Sequence, residues 1–220
     1  MEKTITVKGI GSVSAKPDLI TLLMSLTAKD PDYGKAMECA AEKIHLLEQA
    51  AAQAGFAKGE LKAVRFDTNA EYENIQDPQG HYRRQFTGYA CSYQLKLSFD
   101  LDTRRLAAVL GAIAASGADP EINISFTVKD PGKVSEALLT SAASNAREKA
   151  EVLCRASGVA LGQLVTIQYG CKEPEILSPT RYTMEFNDPV SFLSKSVSMP
   201  ELAPEDIKLQ DTASFVWEIG

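Results

Sequence analysis

A chain of 220 residues, 45% hydrophobic and 24% charged, has the apolar material for a substantial core and is not a disordered polymer. Its net charge of -6, with no basic cluster denser than Arg83-Arg84, excludes a broad phosphate-binding surface, so no nucleic acid is expected as a partner. No apolar run nears the ~18 residues that span a bilayer, and Met1 to Val7 shows no basic region ahead of an apolar one. The sequence as given therefore reads as free of membrane spans and cytoplasmic. A removed signal peptide would place it in the periplasm or cell envelope.

In chain order, Ile5, Val7, Gly9, Gly11 and Val13 share one side of a first strand, with the glycines leaving a smooth patch where another backbone can come close. Ile20, Leu22, Met24, Leu26 and Ala28 alternate with polar residues in a second, half-buried strand. Asp30-Pro31-Asp32 starts a helix with Met37, Ala40, Ile44, Leu47, Ala51 and Ala54 inward, stopped by Gly55. Leu61 to Tyr72 and Gln85 to Phe99 read as a hairpin joined through the turn chemistry of Asn74 to Gly80.

Asp102 caps a second helix with Leu106, Val109, Leu110 and Ile113 inward, ending at Ser116-Gly117. Ile122 to Val128 alternates as a strand, and Asp130-Pro131 opens a third helix whose inner stripe reads Leu139, Ala143, Ala146, Ala150, Leu153. Strands at Val165 to Cys171 and Ile207 to Ile219 complete the chain. The fold class is α+β: mainly antiparallel sheets covered by three helices, in the order ββαββαβα, then β, long loop, β. It is one domain over residues 1–220, or two intimately joined halves of about 1–100 and 101–220.

Between Lys172 and Glu205 runs a loop with five prolines that also carries Tyr182, Met184, Phe186, Phe192 and Met199. Loops this long usually have a job. Large apolar side chains do not stay in water without cost, so these five are the expected interface of a homo-oligomer.

The search for chemistry finds less. Gly9-Ile10-Gly11 has no third glycine and no following helix, so strand packing explains it better than a dinucleotide. P-loop and nucleophile-elbow motifs are missing, His45 and His81 are far apart, and no two of the four cysteines have CxxC spacing, so no cofactor or metal is expected. Asp67, Glu71 and Glu73 on one strand, with Tyr72 and Tyr82 nearby, form a candidate groove for a small molecule, peptide or cation. Cys39 and Cys154, on helices, are the residues a thiol-dependent enzyme would use.

Several short motifs resemble the SIMPL-domain family: Ile5 to Gly11 with Lys16-Pro17-Asp18, then Phe86-Thr87-Gly88-Tyr89, then Gly117-Ala118 with Ile122 to Phe126. Glu136-Ala137-Leu138, Ala146 to Ala150 and Gly158 to Gly162 continue the likeness across nearly the whole chain except the proline-rich loop. The resemblance implies a bacterial protein with a two-part α+β fold, a tendency to form large ring-like oligomers, a cell-envelope location and, for some members, a link to stress defence. It supplies no catalytic residues. The reading that follows is a non-enzymatic self-assembling protein, with a binding module and a thiol enzyme as alternatives.

Overall fold

Three aspartates start the three helices in the computed structural model, which describes residues 3–76, 81–170, 174–184 and 203–220. Helix α1 (Tyr33–Gln53) begins where the Asp32 carboxylate accepts from the Lys35 amide, α2 (Thr103–Ser116) where Asp102 accepts from Arg104 and Arg105, and α3 (Pro131–Ala156) where Asp130 accepts from Lys133. Each cap satisfies amides that the first helical turn leaves without a carbonyl.

The chain packs as two compact units, each discontinuous in sequence. One comprises Leu19–Ser125 and Arg181–Ala203. Its sheet holds β2 (Leu19–Asp30), β3 (Lys62–Gln76), β4 (Tyr82–Asp100), β5 (Glu121–Thr127) and β7 (Arg181–Met184) in the order β3-β4-β2-β5-β7. The run β2-α1-β3-β4-α2-β5 with that order is the split βαβ arrangement of ferredoxin-like folds. Ile20, Leu22 and Met24 lie opposite Phe99, Leu97 and Leu95, all buried, so both central strands turn one apolar row to the same side. The helices cover it, with Leu106, Val109, Leu110 and Ile113 of α2 buried as the sequence predicts. On the other face, hydroxyl pairs Thr21–Ser98 and Thr27–Ser92 meet at 3.1 Å.

The other unit comprises Met1–Asp18, Phe126–Thr180 and Pro204–Gly220. β1 (Thr4–Ala15), β8 (Ile207–Ile219) and β6 (Leu161–Tyr169) form a three-stranded antiparallel sheet in the order β1-β8-β6, and α3 lies on it. The smooth patch on β1 has its partner here. An ideal Cβ at Gly9 would sit 2.1 Å from the Ala142 carbonyl oxygen, and one at Gly11 would sit 2.2 Å from that of Leu138. The helix backbone rests directly on the two glycines.

That close approach also corrects the expected inner stripe of α3. Leu138, Ala142, Ala146, Ala150 and Cys154 are buried, whereas Leu139, Ala143 and Leu153 face out. Where two backbones nearly touch, only small side chains fit between them, so the alanines go inward. A polar stripe flanks them at four-residue spacing: Ser141 accepts from the Ser12 amide, Asn145 accepts from the Ile10 amide, and the Lys149 ammonium donates to the Lys8 carbonyl. These bonds occupy backbone groups on β1.

A further difference is β7, a four-residue strand inside the stretch read as one long loop; it pairs with β5 from Ile122↔Met184 to Ser125↔Arg181. Four residues with a single alternation are too few to stand out by periodicity.

Candidate functional site

Strand β4 is longer than its neighbour β2. The pairing of β2 with β4 ends at Asp30↔Tyr89, so among the described strands Tyr82 to Gly88 pair with β3 alone, as a two-stranded ribbon projecting from the sheet. The ribbon leaves the sheet at a bulge: Glu71 pairs with Gly88 and Tyr72 with Phe86, so Thr87 is the extra residue. Gly88 has φ +149°, and an ideal Cβ there would lie 2.6 Å from the Asp30 carbonyl oxygen. Only glycine fits that conformation and that contact, which re-aim the strand where β2 stops. The Phe86-Thr87-Gly88-Tyr89 motif is this bend.

The two faces of the ribbon differ. One carries Tyr72, Tyr82, Arg84 and Phe86. The Phe86 ring meets Tyr72 at 5.7 Å and Tyr89 at 5.2 Å, Tyr89 meets Tyr33 at 5.6 Å, and the Arg84 guanidinium lies 4.5 Å over the Tyr72 ring. An aromatic row thus runs from the start of α1 out along the ribbon, with Tyr82 near its tip 74% exposed. Such edge-to-face and cation–π contacts each add order 0.5–1.5 kcal/mol, yet the rings remain substantially in water.

The opposite face carries the carboxylates. Asp67 pairs with the neighbouring Arg65 guanidinium, Glu71 with the Lys29 ammonium at 2.6 Å, and Glu73 sits opposite Gln85. The expected groove of Asp67, Glu71, Tyr72, Glu73 and Tyr82 is thereby divided: the three acids share one face, and the two tyrosines lie on the other. Among the described residues no group of three or more His, Cys, Asp or Glu side chains is placed to hold a metal ion.

Of the expected interface residues, Tyr182 and Met184 are half-buried on β7, opposite Ile124 and Ile122. Phe186, Phe192 and Met199 lie outside the described residues. Cys91 and Cys154 are buried free thiols and Cys39 is an exposed one, with Cys154 in the last turn of α3. A helix C-terminus, with its partial negative charge, does not favour a thiolate.

The sequence reading missed one feature. A cavity of about 280 Å³ opens between the end of α1 and the loop after it, with Ala51, Ala52, Phe56 and Leu61 as apolar lining and His45, Glu48, Gln49 and Lys58 as polar lining. Its floor is fixed, because Phe56 meets Phe99 at 5.2 Å and the Arg105 guanidinium stacks 4.0 Å over its ring. The only signal in the sequence was a phenylalanine between two glycines after a helix, which does not specify a cavity.

A family model described as SIMPL, protein of unknown function, matches residues 5–217. The chain is similar to the 26 kDa periplasmic immunogenic protein of Brucella abortus (strain S19), with 25% identity over 170 residues, 77% of this chain and 68% of that protein. The protein of the same name from Brucella melitensis biotype 1 is 24% identical over the same shares. Among solved structures, the regulatory subunit of aspartate kinase from Thermus flavus aligns with 97% of this chain and 89% of its own, at 10% identity and a TM-score of 0.15. That score carries no argument about fold.

Proposed function

The chain belongs to the SIMPL family, and on that premise we propose that it is a non-enzymatic, self-assembling protein of the bacterial cell envelope. The observation that carries the proposal is the ribbon of Glu71–Gln76 and Tyr82–Gly88, two strands standing out from the sheet with aromatic side chains along one face. A two-stranded ribbon alone in water is marginal, and exposed rings gain by burial at about 25 cal/mol per Å². A second copy of the chain supplies both the partner and the cover. Residues 185–202 bring Phe186, Phe192 and Met199 as further apolar contacts for such an assembly. The envelope location follows the Brucella relatives, whose names call them periplasmic, and no helix among the described residues is long and apolar enough to cross a membrane. Light scattering coupled to size exclusion at low micromolar concentration tests the assembly. A multiple of the 23.8 kDa chain mass is expected, and a strict monomer refutes it.

One observation favours a second reading, a small-molecule-binding module: the cavity beside Phe56, with an apolar floor held rigid and polar groups around it. A ligand that binds only the native state raises the melting temperature. A thermal-shift screen of small aromatic and acidic metabolites that finds no shift removes this reading.

A further inference from the structure

Strand β6 runs Leu161-Gly162-Gln163-Leu164-Val165-Thr166-Ile167-Gln168-Tyr169, and among the described strands it alone has no charged side chain. It is also an edge, bonded to β8 and to no other described strand. Its apolar side chains stand in water: Leu164 is 47% exposed, and Val165 and Ile167 are each 53% exposed. Edge strands of natural sheets are normally blunted by charge, by proline or by a covering element. Here α3 lies over β1, at the opposite edge of the sheet, where Ser141 and Asn145 take up the Ser12 and Ile10 amides. Among the described residues the sheet is closed at β1 and open at β6.

The charge pattern says what closes it. Two copies of a protein carrying a net charge of -6 repel one another, and every other described strand would carry at least one charged side chain into such a pairing. An uncharged strand meets itself without that cost in whatever register it pairs. Antiparallel pairing of one strand with its own copy is isologous, the contact a two-fold axis generates. From this we infer that β6 pairs edge to edge with β6 of a second copy, joining two three-stranded sheets into one of six. The pairing to β8 shifts register between Leu161 and Leu164 and again between Leu164 and Thr166. Thr166 to Tyr169 therefore carries the regular hydrogen bonds, its end fixed by the Tyr169 hydroxyl donating to Asp211 at 2.7 Å, while Leu164 and Val165 contribute apolar cover.

The inference rests on the self-assembly reading, and one experiment separates the two. The full chain, its double variant Val165→Lys/Ile167→Lys and the ribbon variant Tyr72→Ala/Phe86→Ala are compared by light scattering, with circular dichroism as the check on folding. Both lysines replace exposed side chains, and a β6 pair would gather two positive charges from each copy along one seam. The expected result is a folded β6 variant of half the wild-type mass or less. A wild-type monomer overturns both readings. An assembled wild type with an unchanged β6 variant overturns the β6 pairing alone, leaves assembly to the ribbon, and assigns the edge to some other partner. Should the variant not fold, hydrogen exchange on wild type decides. Slow exchange at every amide from Thr166 to Tyr169 supports the pairing, and fast exchange at alternate amides overturns it.

Discussion

The carbonyl oxygen of Ala142 occupies the place a side chain at Gly9 would need, 2.1 Å from the ideal Cβ position. The obstacle is helix backbone, anchored by Ser141 and Asn145 to the same strand, and it cannot swing aside as a flexible side chain can. Gly9→Ala is therefore expected to push α3 off β1 and cost about 2–3 kcal/mol, in the range of overpacked cores. The readout is built in. Trp217, the sole tryptophan, is buried in the same cluster as Val7, Ala146 and Ala150, so its fluorescence follows this unit. Its thermal midpoint should fall by about 4–10 °C.

Gly111 gives the opposite sign. It lies within α2, and a Cβ there meets nothing within 4 Å. Glycine in a helix interior is about 1 kcal/mol worse than alanine, chiefly through backbone entropy. Gly111→Ala should raise the urea midpoint by the equivalent of about 0.5–1 kcal/mol. A loss of stability there would mean that α2 packs more tightly on that side than the open space around Gly111 indicates.

These glycines show how far the sequence could be read. The patch at Gly9 and Gly11 is visible as two small residues on the buried side of a strand, and the three aspartate caps are visible because their chemistry is local. The stripe of α2 was legible because four large aliphatic residues leave one choice of face. In α3 size misled: Leu139 and Leu153 look like core residues, yet the close contact over Gly9 turns Ala142 and Ala146 inward, with Leu138 buried in place of Leu139, and that distance belongs to the tertiary structure. The same holds for the site. Asp67 and Tyr72 are five residues apart, an odd step, which on a strand puts them on opposite faces. The exposure of Val165 and Ile167 depends on what α3 leaves uncovered, and no pattern within β6 records it.

The bend at Gly88 couples local geometry to the proposed assembly. With φ +149° and the Asp30 carbonyl 2.6 Å from an ideal Cβ, Gly88→Val must either strain the backbone, at about 1–3 kcal/mol, or straighten the bulge and re-aim the ribbon. Either route moves the face bearing Tyr72 and Phe86. The expected outcome is a lower thermal midpoint together with loss of the largest species in light scattering. Thr87→Val, an exposed neighbour that adds no strain, should change neither. An unchanged assembly in Gly88→Val would show that the ribbon takes no part in it.

Acid should weaken α3 at its start. The Asp130 carboxylate accepts from the Lys133 amide and lies 3.2 Å from its ammonium, and these contacts, the amide first, hold its pKa below the ordinary 3.8. The ion pair needs the ionised form, the amide hydrogen bond is stronger to it than to a neutral carboxyl, and the positive end of the helix dipole favours it too. Because the folded value is depressed relative to the unfolded chain, the carboxylate's contribution is fully present above pH 3.8 and is lost as the pH falls through the lower folded value. Asp130→Asn keeps an N-cap acceptor but has no charge to titrate. The wild type should therefore be the more stable of the two at pH 7, judged by urea midpoint. That margin should hold down to the region of pH 4 and then shrink, with the two proteins converging below it. A margin that stays constant through this range would mean that the side chain acts as a neutral hydrogen-bond acceptor and that its charge adds nothing to the helix.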